Sequence, residues 1–324
     1  MLIVEDYDGC FNDPIEKYYE LEKHSIDDDG KVFFHGIGCI EKPTHKAKYR
    51  DYQKKAFWNL EHPCAWYGRS DEYKWKSANS DGYFDKVMTL CPFTADWLNH
   101  IQNTSTFVFP KSHVPFNENL VDDKKEEKLH DVIYWGGIHH QDHVDFVDSM
   151  LGFKYNFLSL GATYWNPYGG GSGYAKYITG VNLPRSQMWD LLRKTKVCLI
   201  SNKLYLSEAH VASIKRIQGW EQCEAFSHLE TRQLPQIKTR MIESAVNRCL
   251  MLVKDNPWRV DEHSFEAGKD FIYFDKSEEL PALIDDISKN WHKYEEMVEN
   301  AFIKATTVHT VENLITQVKK ELDE

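Results

Sequence analysis

The stretch Lys238 to Asn256, reading KTRMIESAVNRCLMLVKDN, constrains the fold more than any other part of the chain. Met241, Ile242, Ala245 and Val246 recur at helical spacing, so one face of a short helix goes into a core. Cys249-Leu250-Met251-Leu252-Val253 follows as a continuous apolar run, the pattern of a strand buried on both faces of a parallel sheet. A helix that feeds such a strand starts near the carboxyl ends of the strands, where α/β folds hold ligands. Lys238, Arg240 and Glu243 fall in its first turn and a half. Two cations and one carboxylate there suit a ligand with both phosphate and sugar hydroxyls. The plainer alternative is a solvated helix end with an i,i+3 ion pair.

The flanking sequence repeats this alternation. Strands are predicted at Asp131–Trp135, Tyr155–Leu160, Tyr177–Thr179, Lys196–Ile200 and Asp270–Phe274, with helices at Asp142–Met150 and Arg185–Thr195 between them. Such a run implies a parallel sheet covered on both faces. Earlier in the chain, Leu2–Val4, Val32–Phe34 and Asp85–Leu90 read as strands. The window 42–57 reads as a polar or basic helix, and Thr94–Ile101 as a helix with Thr94 as N-cap. The charge run VDDKKEEKLH (121–130) reads as a linker. The expected domains are therefore 1–125 and 126–305, with 306–324 a C-terminal helix packing back on the first.

The 324 residues suggest about two domains, and 42% hydrophobic with 27% charged residues is a soluble globular composition. No apolar run is long enough for a membrane span, and MLIVEDYDG lacks the features of a signal peptide. Seven scattered cysteines, never in CxxC spacing, argue against disulfides or structural zinc. A reducing, cytoplasmic setting is expected. The formal charge of −11 excludes a global basic field for nucleic acid. Residues 42–76 depart from it, with nine Lys/Arg against four Asp/Glu and seven interleaved Tyr or Trp.

Four stretches together resemble the donor-binding domain of the GT-B glycosyltransferases. They are DVIYWGG (131–137), YITGVNLPRSQMWDLLRKTKVCLISN (177–202), KTRMIESAVNRCLMLVKDN (238–256) and FEAGKDFIYFDKSEELPALI (265–284), in the order of that domain. The resemblance covers roughly residues 131–310, and FDKVMTLCPFTADWLN (84–99) extends it weakly into the first domain. It implies an α/β fold of two Rossmann-like domains facing across a cleft. It also implies transfer of a sugar, UDP-linked above all, from a nucleotide-sugar co-substrate to an acceptor hydroxyl, with no tightly bound cofactor and no metal.

On that resemblance Glu243 accepts hydrogen bonds from the ribose hydroxyls, and Arg240 and Lys238 neutralise the diphosphate. The backbone at Thr179, Gly180 and Val181 pairs with the base, and Gly136 and Gly137 let the main chain approach the phosphates. Ser201, Asn202 and Gln236 complete the expected donor contacts. A second Glu common in the family, eight positions before the ribose Glu, is replaced here by Pro235.

In the first domain, His35 ends a strand and begins HGIG, so it is a candidate base toward the acceptor; a His packed in a tight turn is the alternative. Glu61 and His62 in NLEHP form a similar pair, with helix-end capping as their alternative. His139 and His143 are spaced i,i+4, but no third ligand supports a metal site. The glycine-rich segment 166–177 is not a P-loop and reads as a mobile excursion. The resemblance implies a glycan or a small molecule as acceptor, or a hydroxymethylated base in DNA, since some phage enzymes of this fold glycosylate such bases. For DNA the contacts would be Lys46, Lys48 and Arg50, against a solvated helix face as the alternative. A nucleotide-binding scaffold without turnover is the reading from a different class.

Overall fold

The computed structural model describes residues 1–5, 21–27, 29–35, 43–59, 83–102, 106–108, 121–138, 140–159 and 174–324. The apolar runs of the first third become a five-stranded sheet. Its strands are β1 (Leu2–Glu5), β2 (Lys31–His35), β3 (Lys54–Asn59), β4 (Lys86–Thr89) and β5 (Thr106–Val108), in that spatial order. All neighbours are parallel. Valines and aromatics such as Val32, Phe34, Phe57, Phe84 and Val87 form the core on one face.

Two local expectations fail here for identifiable reasons. The helix expected across 42–57 stops early: α1 is Pro43–Lys48, and β3 follows. Ala56, Phe57 and Trp58 are consecutive and all buried, which a strand between two others accommodates and a polar helix face does not. Thr94 is the third residue of α2 (Pro92–Gln102), not its N-cap. Pro92 opens that helix, where its missing N–H costs nothing.

The second sheet has six strands, all parallel. They are β6 (His130–Trp135), β7 (Tyr155–Ser159), β8 (Gly180–Val181), β9 (Thr195–Ile200) and, after an antiparallel pair of β10 (Lys203–Tyr205) with β11 (Gln233–Pro235), β12 (Leu250–Lys254) and β13 (Ile272–Phe274). Their spatial order is β13-β12-β9-β6-β7-β8. The strand expected at Tyr177–Thr179 is displaced to β8. Tyr177 and Ile178 N–H close turns onto Tyr174 and Ala175 carbonyls, so only from Thr179 does the backbone reach β7. The helices in chain order are α3 (Gln141–Met150), α4 (Arg185–Arg193), α5 (Glu208–Ile214), α6 (Arg240–Val246), α7 (Leu280–Lys289), α8 (Glu295–Val308) and α9 (Val311–Asp323). Tyr134, Phe146, Phe157, Leu199, Leu252 and Ile284 pack in one core of this sheet.

The chain divides into two compact units. One is Met1–Phe116 with Lys203–Ile237 and His309–Glu324; the other is Asn117–Asn202 with Lys238–Val308. The expected second domain of 126–305 thus gives up residues 203–237. The cause is apolar: Leu206, Ile214, Phe226, Leu229 and Leu234 cluster with Trp97 of α2. In the first unit α9 packs beside β3, and Lys31 Nζ pairs with Asp323. Among the described residues no helix is long and apolar enough to cross a membrane.

The amino edge of the six-stranded sheet is tied down by cations. Lys128 Nζ donates to the carbonyls of Arg193 (2.6 Å) and Arg248 (2.8 Å), groups left over where α4 and α6 end. Burial pulls its amine down to about 8. Arg248 donates to both oxygens of Glu299 (3.1 and 3.4 Å) and to the Asp122 carbonyl (3.1 Å), and it stacks on Phe302. A shallow recess lies here, lined by Lys128, Arg193, Arg248, Trp291 and Glu299.

Candidate functional site

Because all six strands run parallel, their carboxyl ends share one edge. The chain goes from β6 outward through β7 and β8, then returns to β9 on the other side of β6. The β6–β9 boundary is therefore a topological switch point, where open α/β sheets hold ligands. After β6 comes Gly136, with φ of +137°. A Cβ there would lie 2.0 Å from Arg240 Nη2, so only glycine leaves room for that guanidinium. Tyr134 Oη donates to the Gly137 carbonyl (2.6 Å) and fixes the turn.

Every residue of α6 is buried, with Arg240 7% and Glu243 2% exposed, so the solvated helix end does not hold. The Arg240 guanidinium lies 5.1 Å from the Tyr134 ring centre and 4.9 Å from that of Trp135. Its Nε and Nη1 have no hydrogen-bond partner among the described residues. The buried Trp135 Nε1 and Ser201 Oγ are likewise unmatched. A buried cation without a carboxylate is costly, and its neighbourhood of unmatched donors fits an anion.

Glu243 does not pair with Arg240. Its Oε1 accepts from Arg185 Nη1 at 2.9 Å, at the start of α4. Its Oε2 lies 3.5 Å from Thr239 Oγ1. Lys238 precedes α6 and turns its Nζ to the Ser201 carbonyl (2.6 Å), just past β9. Lys238 N–H donates to Asn202 Oδ1 (3.2 Å), and Asn202 Nδ2 donates to buried Asp261. Asp261 also accepts from Asn256 Nδ2 (2.6 Å) and Tyr273 Oη (3.1 Å). Burial lifts the Asp261 carboxyl above its ordinary value despite these bonds. The network fixes Asn202, and through it the entry into α6.

The remaining expected donor contacts divide. Thr179 is pinned to β7: its N–H donates to the Phe157 carbonyl (2.8 Å), and its Oγ1 accepts from Phe157 N–H (3.0 Å). Gly180 and Val181 form β8, and Asn182 N–H reaches the Ser159 carbonyl (3.0 Å). These stand at the same carboxyl edge as Gly136 and Ser201. Gln236 falls in the other unit, half-buried after β11.

In the first unit His35 ends β2, fully buried, its ring 4.5 Å from that of Trp58. Glu61, His62 and His139 lie outside the described residues, as does most of the glycine-rich segment. Lys46 Nζ sits 5.1 Å over the Tyr83 ring and Lys48 Nζ 4.9 Å over Tyr49, while Arg50 is exposed. The His140 and His143 rings lie against each other at a tilt, with centres 3.6 Å apart. Among the described residues no three His, Cys, Asp or Glu side chains gather to hold a metal.

Sequence reasoning missed Arg185 and Asp261. Arg185 had a usable signal, since it follows Pro184 at a helix start beside the stretch expected to read the base. Asp261 had none, because its partners are 59, 5 and 12 positions away.

The architecture has solved counterparts. The structure of TarM from S. aureus matches with a TM-score of 0.56 and 12% identity, over 94% of this chain and 57% of that one. The pneumococcal O-GlcNAc transferase GtfA, solved with UDP and GlcNAc, matches at 0.52 and 12%, over 90% and 56%. HepE of Anabaena, solved with UDP-glucose, matches at 0.52 and 9%, over 90% and 78%. These likenesses are of fold, the α/β GT-B fold, and the chain spans a little over half the length of TarM and GtfA. No curated protein matches by sequence. The Glycosyl transferase-like family model aligns with residues 141–320, more than half of the 324, and takes in Thr179–Val181, Arg185 and the whole run from Lys238 to Glu243; the chain belongs to that family.

Proposed function

We propose that this chain moves a sugar from a nucleotide-sugar donor, UDP-linked, to an acceptor hydroxyl. The observation that carries the reading is Arg240: a buried guanidinium with unmatched N–H groups at a switch point, three residues before a buried carboxylate. Family membership and the UDP bound in structures of similar fold support it. Glu243 holds the ribose through carboxylate acceptors. Arg240 and Lys238 stabilise the charge that develops on the leaving diphosphate. The main chain at Thr179–Val181 meets the base, and Gly136 and Gly137 bring backbone close to the phosphates. His35 is assigned to the acceptor side.

Calorimetry with UDP tests this. Glu243→Ala is expected to lower UDP affinity about 10- to 100-fold, the range for a hydrogen bond to a charged group, while circular dichroism stays unchanged. Equal affinity of wild type and variant, or no binding by either, would overturn the assignment.

The acceptor has a second reading. The exposed Lys48 and Arg50 favour a nucleic-acid backbone, with hydroxymethylated DNA as the acceptor, although Tyr49 and Tyr52 beside them pack against the first core and do not offer faces to bases. Changing Lys46, Lys48 and Arg50 to Glu should then abolish retention on duplex DNA at low salt. A wild-type protein that flows through unretained leaves glycans and small hydroxylated molecules as the acceptor class.

A further inference from the structure

Arg185 has no place in the donor contacts above, yet its side chain makes the closest polar contact to the Glu243 carboxylate, 2.9 Å against 3.5 Å for Thr239. Glu243 is 2% exposed and Arg185 17%, so the pair is shielded from water and geometrically fixed. Arg185 is also the first residue of α4, two residues beyond Leu183 and three beyond Asn182. Asn182 adopts φ of +46° and Pro184 is extended, so the chain turns sharply between β8 and α4. The segment from Thr179 to Asn182 is thereby held at two ends. Its start is bonded to Phe157 and its end to Ser159, both on β7; the residue that follows the turn is bonded to Glu243 on α6.

We infer that Arg185 is a positioning residue that locks the base-reading segment 179–182 to the ribose carboxylate of Glu243, so that nucleoside recognition is made as one unit. The inference rests on the proposed nucleotide-sugar reading of the site. One Glu243 oxygen is committed to the guanidinium, which sets the direction of the carboxylate. Each carboxylate oxygen has two acceptor positions, so ribose hydroxyls still find places on it. Without the guanidinium, the carboxylate is a buried anion whose one remaining side-chain contact among the described residues is Thr239 at 3.5 Å, and it is free to rotate or to draw α4 out of place. Arg240 is unaffected, because its contacts are with Tyr134, Trp135 and the Gly136 turn. The phosphate end and the nucleoside end of the site are then separable by mutation.

The experiment compares UDP, uridine and inorganic pyrophosphate as calorimetric probes of the full chain. Arg185→Gln is expected to lower affinity for UDP and uridine about 10- to 100-fold, the range for losing a charged hydrogen bond, and to leave pyrophosphate unchanged. Arg185→Lys, which keeps the charge but not the fork, is expected to recover part of the loss and covers the case in which the Gln variant does not fold. Adding Arg185→Gln to Glu243→Gln is expected to cost nothing further for uridine, since both act through one contact. Uridine and UDP affinities in Arg185→Gln equal to or tighter than wild type would overturn the inference. So would a parallel loss of pyrophosphate binding, which marks a general structural role. Wild-type protein that binds none of the three probes would instead overturn the donor reading itself, and the inference with it.

Discussion

The half-buried cations at the amino edge of the six-stranded sheet and the buried Arg240 at its carboxyl edge are treated differently. At the amino edge Lys128, Arg193 and Arg248 are each satisfied within the fold. Lys128 bonds two carbonyls, Arg193 pairs with Glu126 and Asp190, and Arg248 has Glu299, the Asp122 carbonyl and the Phe302 ring. At the carboxyl edge Arg240 has aromatic faces but leaves Nε and Nη1 unmatched. Cations of the first kind close helix ends and hold the sheet together. A cation of the second kind is carried at a cost to stability, which makes sense when a ligand completes it. The recess at the amino edge is lined by the first kind, so a concave surface by itself does not mark the site.

Exchanging losses between the edges tests the contrast. The largest effect is expected at the carboxyl edge. Arg240→Gln should weaken UDP binding about 100-fold, in line with losing a preorganised anion contact, and leave unfolding stability equal to wild type or higher. A stability loss without a binding loss would erase the distinction.

Next comes Arg248→Gln, expected to cost about 2–3 kcal/mol in urea unfolding, below the fully buried range because Glu299 is 30% exposed. UDP affinity of the folded variant should match wild type. The smallest effect is in pH dependence. The Lys128 amine is lowered to about 8 in the fold, while an unfolded lysine titrates near 10.5. Between those values the unfolded chain binds more protons, so Lys128 makes stability rise with pH across that window. In Lys128→Met this contribution disappears. The difference between the two stability profiles should therefore shift in favour of wild type from pH 8 to 10. Buried thiols such as Cys198 and Cys223, raised to about 11 by burial, act in the opposite sense but equally in both proteins. Parallel profiles would show that Lys128 is not protonated less readily in the fold.

Much of this was legible in order of appearance. The helical spacing of Met241, Ile242, Ala245 and Val246 and the apolar run after them placed α6 and β12 to within a residue or two. Strand–helix alternation brought Gly136, Ser201 and Lys238 toward one edge. Where local pattern misled, long-range burial had prevailed: Lys54 and Lys55 sit in a strand because Ala56–Trp58 must be covered on both faces. Residues 203–237 leave their sequence neighbours because Trp97 offers an apolar surface that they fill.

By itself the chain's sequence determined which side chains face a core and which strand ends they follow, because both depend on periodicities of two and 3.6 residues that are written locally. Only the tertiary structure decided the pairings. It set Arg240 on Tyr134 and Trp135, gave Glu243 to Arg185 and not to its i,i+3 neighbour, and hung Asn202 on Asp261. Those contacts depend on strand order across the sheet, which brings together groups tens of residues apart and which no local spacing encodes.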